Sequence, residues 1–167
     1  SETRAVMTED PAKELEILYE RYVGRNFVNK ARREQVMVDA IKRQLRDNKL
    51  QQFYKQYTFT EDYRKIQFPL VWQAEGRHSI IKPLTLDQND PGKLVEHADE
   101  WKRKIQWLLE RNRIRQDELM IPIEPPASDN DELKDAYRVA ERDLQELGVD
   151  LVPFTDTPRI VEFARQP

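Results

Sequence analysis

The segment from Lys65 to Trp107 constrains the fold most. Ile66, Phe68, Leu70 and Trp72 alternate with other residues, the chain turns at 74–77, and a second apolar run extends from His78 to Leu86. A period of two predicts strands over 65–73 and 78–86, with Ile66, Phe68, Leu70 and Trp72 on one face. Pro69 and Pro83 interrupt both runs. Proline has no N–H to give to a ladder, so each strand is expected to lie at an edge or to bulge. Asp90 and Pro91 then supply a cap and a first-turn residue. The helix that follows reaches about Asn112. Leu94, Ala98, Trp101, Ile105 and Leu108 share its core side, and Trp107 points the opposite way between Arg103 and Arg111. A hairpin that hands over to a crossover helix implies an α/β protein.

The rest of the chain arranges itself around that unit. Leu15, Leu18, Tyr19 and Tyr22 predict a helix over 10–23, capped by Thr8 or Asp10 and stopped by Gly24. Val36, Met37, Ala40, Ile41 and Leu45 predict a second over 29–48. Tyr57 and Phe59 mark a strand over 54–59. Strands over 119–123 and 149–154 bracket a helix started by Ser128 and Asp131, with Leu133, Ala136, Tyr137, Ala140, Leu144 and Leu147 facing inward. A last short helix holds Ile160, Val161 and Phe163. The expected order is ααβββαβαβα. Strands separated by helices pair in parallel through right-handed crossovers. The predicted fold is therefore a single mixed sheet, an antiparallel meander plus parallel βαβ units, flanked by helices. Residues 1–9 are expected to be a flexible N-terminal segment and 10–167 one α/β domain.

A length of 167 residues suits one domain with a sizeable core. The absence of cysteine excludes disulfides, thiol catalysis and cysteine metal sites, and accords with a reducing, cytoplasmic setting. No apolar run approaches a membrane span, and the N-terminus is not a signal peptide. The opening at Ser1 rather than methionine suggests a piece of a longer protein. Net charge is -3, unevenly spread. Residues 24–57 hold nine Lys and Arg against three acids, 100–115 six against two, and 117–167 five against thirteen. A basic face of this kind meets phosphate or an acidic partner when it is not simply a solvated helix surface.

No phosphate-binding glycine loop is present, and Ser79 beside His78 does not make a triad, because adjacent strand residues face opposite ways. His78 and His97 lack a metal-ligand spacing partner and read as surface or boundary residues. The run αβββαβ over roughly 30–154 resembles the core of the PD-(D/E)xK nuclease-like proteins. In that family an acid near the start of the second strand and an acid-x-lysine on the third hold magnesium and position water. Here the second strand offers Gln67 and Pro69, and the third offers Ile80, Ile81 and Lys82, so only the lysine matches. The resemblance implies a nuclease-like scaffold without its catalytic acids.

The leading expectation is a non-catalytic interaction domain of a larger, bacterial protein, with no catalytic residue, metal or cofactor, binding a protein partner or forming a homodimer. Arg103, Trp107 and Arg111 are its candidate interaction surface. The alternative is DNA or RNA binding, with Arg33, Lys42, Arg43, Arg46, Lys49 and Lys82 as possible phosphate contacts. A third reading, a metal-dependent nuclease, would draw its acids from Glu61, Asp62 or Asp87. No membrane association is expected.

Overall fold

The computed structural model describes residues 29–166. The predicted helix over 10–23 and the flexible segment over 1–9 lie outside these residues. The described elements are helix α1 (Lys30–Asp47), strands β1 (Lys55–Glu61), β2 (Arg64–Ala74), β3 (Arg77–Ile81) and β4 (Leu84–Thr85), helix α2 (Pro91–Glu110), strand β5 (Leu119–Glu124), helix α3 (Asp131–Gln145), strand β6 (Asp150–Pro153) and helix α4 (Thr157–Ala164). They form an α/β fold around one mixed six-stranded sheet. β1, β2 and β3 make an antiparallel meander, and β3, β4 and β6 run parallel to β5.

The two prolines act differently. β2 is paired on both sides, so Pro69 is not at an edge. The β1 ladder instead slips between Lys55↔Val71 and Tyr57↔Phe68, which places an extra β2 residue at the proline. That bulge reverses the side chains beyond it. Ile66, Phe68 and Val71 join the core under α2 and α3, whereas Leu70 and Trp72 pack against the core under α1 and α4. The expectation that Ile66 through Trp72 share a face is thereby corrected. Pro83 cuts the predicted strand over 78–86. β3 and β4 keep one register against β5, Ile80↔Leu119 and Leu84↔Ile123, so they are one strand line interrupted at Lys82 and Pro83.

Helix starts follow local chemistry. Asp90 Oδ1 accepts hydrogen bonds from the Gly92 and Lys93 amides, satisfying donors that a helix N-terminus leaves free. α3 is capped by Asn130, whose side chain accepts from Leu133 N, and Ser128 in turn accepts from Asn130 N. The buried α2 residues are Leu94, His97, Ala98, Ile105 and Leu108.

One polar seam ties α4 to the sheet. The buried Tyr54 hydroxyl lies 2.8 Å from Ser79 Oγ and donates to Ala164 O at 2.8 Å. Burial pushes the Tyr54 hydroxyl up to about 12. Tyr54→Phe is expected to lower unfolding free energy by about 1–2 kcal/mol, because Ala164 O loses its donor and Ser79 is left buried. Urea denaturation measures the loss, and amide exchange that quickens more in α4 than in the rest of the fold locates it.

Candidate functional site

A buried polar cluster sits where Pro83 interrupts the sheet. α1 contributes Glu34, the β3–β4 break contributes Lys82, β4 contributes Thr85, and α2 contributes His97. Glu34 Oε2 accepts from Thr85 N at 2.9 Å and meets His97 Nε2 at 2.7 Å; Glu34 Oε1 accepts from Lys82 Nζ at 3.2 Å. Lys82 also donates to Pro83 O at 2.7 Å and lies 4.5 Å from the centre of the Trp101 ring. Lys104 lies over the same ring, also at 4.5 Å. Sequence folds the site this way for a local reason. The proline removes a ladder donor and turns the strand line, and the lysine before it is carried inward to 6% exposure.

The electrostatics follow from that burial. Desolvation pushes the Glu34 carboxyl up, but the hydrogen bond from His97 and the charge of Lys82 outweigh it, leaving Glu34 below the ordinary carboxylate range. Burial draws Lys82 below the ordinary lysine value against the attraction of Glu34. An ammonium group held between a carboxylate, a carbonyl oxygen and an indole face has the geometry of a charged pair. Glu34 is thus fully answered. A carboxylate only accepts, so His97 Nε2 bears the hydrogen shared with Glu34.

Two atoms beside this cluster are unanswered. His97 is 4% exposed and its Nδ1 has no hydrogen-bond partner; Gln88 is 3% exposed and its Nε2 has none. A buried donor or acceptor left unpaired costs about 1–3 kcal/mol. The nearest charged oxygen to His97 Nδ1 is Glu100 Oε1 at 3.8 Å, too long for a hydrogen bond. Both residues line a cavity of about 480 Å³, walled also by Lys30, Lys93, Glu96, Glu100 and Arg103.

A second hollow, about 620 Å³, lies between β2 and the outer side of α2. It is lined by Arg64, Lys65, Ile66, Arg103, Lys104, Gln106, Trp107 and Glu110. Trp107 is half-buried and packs against the core. The Arg111 guanidinium lies 4.1 Å from its ring centre and that of Arg64 5.2 Å. Arg103, Trp107 and Arg111 therefore do gather on one surface. Arg103 belongs to the walls of both hollows.

The other candidates scatter. Arg33 grips Glu124 through two nitrogens, and Thr85 Oγ1 donates to the same carboxylate at 2.7 Å. Lys82 is buried against Glu34. Arg46 donates to Gln51 at 3.0 Å. Arg43 and Lys49 are exposed and Lys42 is half-buried. Glu61 pairs with Arg113 and Arg111, Asp62 lies 3.8 Å from Arg111, and Asp87 accepts from Ala127 N. Among the described residues, no three His, Asp or Glu side chains are grouped to hold a metal ion.

Sequence reasoning missed Glu34, Gln88 and the burial of His97. One signal was available: His97 falls on the Leu94, Ala98, Trp101 face of its helix, a core position. Gln88 carries no such signal. No helix among the described residues is long and apolar enough to cross a membrane. No family model, curated protein or solved structure matches the chain.

Proposed function

We propose a non-catalytic interaction domain whose docking surface is the Trp107 hollow and whose partner is an acidic segment of another protein. One observation carries this reading. Among the described residues the hollow has an apolar floor, Ile66 and Trp107, and a rim of Arg64, Lys65, Arg103 and Lys104 against one acid, Glu110. An apolar floor inside a charged rim is how protein interfaces are built, and aromatic residues with arginine dominate their energetics. Two guanidinium groups already lie over the Trp107 ring. A nucleobase would have to displace one to stack there, whereas a carboxylate pairs with the outer edge of an arginine and leaves the cation–π contact intact.

Outside the lining of the hollow, Tyr63 is a further exposed aromatic. It stands fully exposed at the β1–β2 turn, beside Arg64 in sequence, and its backbone is left-handed, with Asp62, at φ 64° and 52°. Two consecutive residues at positive φ match the twist of a tight hairpin. The scaffold proposed for this role is nuclease-like, a reading that rests on element order alone. A reducing cytoplasm suits a chain without cysteine.

The test selects peptides from a random displayed library against the domain and measures the winners by fluorescence anisotropy. Enriched Asp and Glu around an apolar anchor, with affinity falling about tenfold or more on Arg64→Glu with Arg103→Glu, is the expected result. Tight, salt-dependent binding of a 20-nucleotide single strand, abolished by the same pair or by Arg43→Glu with Arg46→Glu, would replace this reading with nucleic-acid binding. A dimer by light scattering that the Arg64 and Arg103 changes dissociate makes the partner a second copy.

A further inference from the structure

We infer that the cavity between α1, the segment after β4 and α2 is a binding site for a small hydroxylated oxyanion, such as a hydroxy acid or a phosphorylated polyol. It is a different cavity from the proposed protein-docking hollow, sharing only Arg103 with it, and the inference does not rest on that docking reading. Two kinds of observation converge here. The first is the pair of buried, unpartnered atoms. With Nε2–H committed to the Glu34 carboxylate, the neutral imidazole offers Nδ1 as an acceptor, and Gln88 Nε2 is a donor. One ligand hydroxyl answers both, donating to His97 and accepting from Gln88.

The second is the charge at the mouth. Lys30, Lys93 and Arg103 wall the cavity together with Glu96 and Glu100. Glu96 lies 3.7 Å from Lys93, and Glu100 accepts from Lys104 at 3.1 Å. Among the described residues Lys30 and Arg103 carry no ion pair. Arg103, Lys30, which acts on Glu100 through space without a direct ion pair, and a half-engaged Lys93 therefore face an opening whose acids are already engaged, which suits a carboxylate or phosphate.

The site is built on rigid parts. Lys30 and Glu34 stand one turn apart on α1, so the residue that orients His97 and a cation at the mouth share a helix face. Glu34 is in turn pinned by Lys82 and Thr85. This is the arrangement in which a carboxylate fixes an imidazole and presents its other nitrogen outward. A water molecule satisfies the same two atoms, yet it leaves Lys30 and Arg103 unanswered.

The test is nuclear magnetic resonance of the ¹⁵N-labelled domain titrated with glycerol 3-phosphate, glycerate, inorganic phosphate and glycerol. Saturable shifts of the His97 ring nitrogens and the Gln88 side-chain amide with glycerol 3-phosphate or glycerate are expected, and which probe binds tighter identifies the oxyanion. Glycerol and phosphate separately should bind at least about tenfold more weakly, since each meets half of the site. Gln88→Leu removes an unpaired donor, so it leaves folding intact, and is expected to weaken binding about tenfold. Arg103→Gln should weaken only the charged probes. The proposal is overturned if no probe moves the His97 and Gln88 resonances at millimolar concentration. It is equally overturned if phosphate alone binds as tightly as glycerol 3-phosphate without touching them, or if Gln88→Leu binds unchanged.

Discussion

Replacing Glu34 by leucine is expected to lower unfolding free energy by about 3–5 kcal/mol, the range for removing one partner of a buried ion pair. The change strands three groups at once. Lys82 is left at 6% exposure without the carboxylate that holds its charge, and His97 Nε2 and Thr85 N lose their acceptor. The loss therefore measures the abandonment of Lys82 as much as the worth of the pair. Glu34→Leu combined with Lys82→Met separates the two. Because a buried pair can be exchanged for apolar residues at little cost, the double variant should recover most of the stability. Urea denaturation of the four proteins gives the coupling directly. A double variant no more stable than Glu34→Leu alone would show that Lys82 is not the stranded charge.

The same pair sets a pH dependence. In the folded protein the Glu34 carboxyl lies below its ordinary value of 4.5. A carboxyl depressed by folding contributes stability that is complete above the unfolded value and is lost as pH falls through the folded one. Wild-type protein should therefore lose stability as pH drops below about 4.5, and Glu34→Leu should lack that component of the slope. Equal acid slopes in the two proteins would mean that other carboxylates carry the transition.

Glu118→Ala is expected to cost about 2–4 kcal/mol, from two backbone donors left unpaired. Glu118 is 3% exposed, and its oxygens accept from His78 N at 2.8 Å and Arg115 N at 2.7 Å. It thus fastens the start of β3 to the short 3-10 turn at Gln116–Glu118 that leads into β5. Glu118→Gln keeps one acceptor oxygen but turns an amide donor toward the other N–H, so about half of the loss should remain. Hydrogen exchange at the His78 amide reports the clamp itself. It should quicken by about tenfold or more in Glu118→Ala, while the Leu94 and Ile105 amides change only with global stability. An unchanged His78 amide would mean that water takes over the carboxylate's role.

How legible all this was depends on the range of the interactions. The Leu94-to-Leu108 stripe and the Asp90 cap are local, so period and capping chemistry predicted α2 closely. Element order predicted the mixed sheet, since strands separated by helices pair in parallel. Pro69 announced a break in the ladder but not its form. A bulge, unlike an edge, moves Leu70 and Trp72 to the opposite face, and only pairing on both sides of β2 reveals that. That Trp107 lies off the main core stripe was readable from helical angle, but not that it packs on the core's margin beneath Arg64, which comes from a distant strand. Glu34, Lys82 and His97 are gathered from three elements, and no spacing in the chain records it. Arg33 and Lys82 looked like surface cations because their partners, Glu124 and Glu34, are equally remote in sequence.

The bulge at Pro69 has a mechanical corollary. Because β2 lends Phe68 and Val71 to one core and Leu70 and Trp72 to the other, the strand is a party wall between the two layers. Loosening α1 and α4 strips the far side of the same backbone that α2 and α3 are packed on. Neither layer is expected to be lost while its neighbour stays whole, so the two cores should melt in one transition.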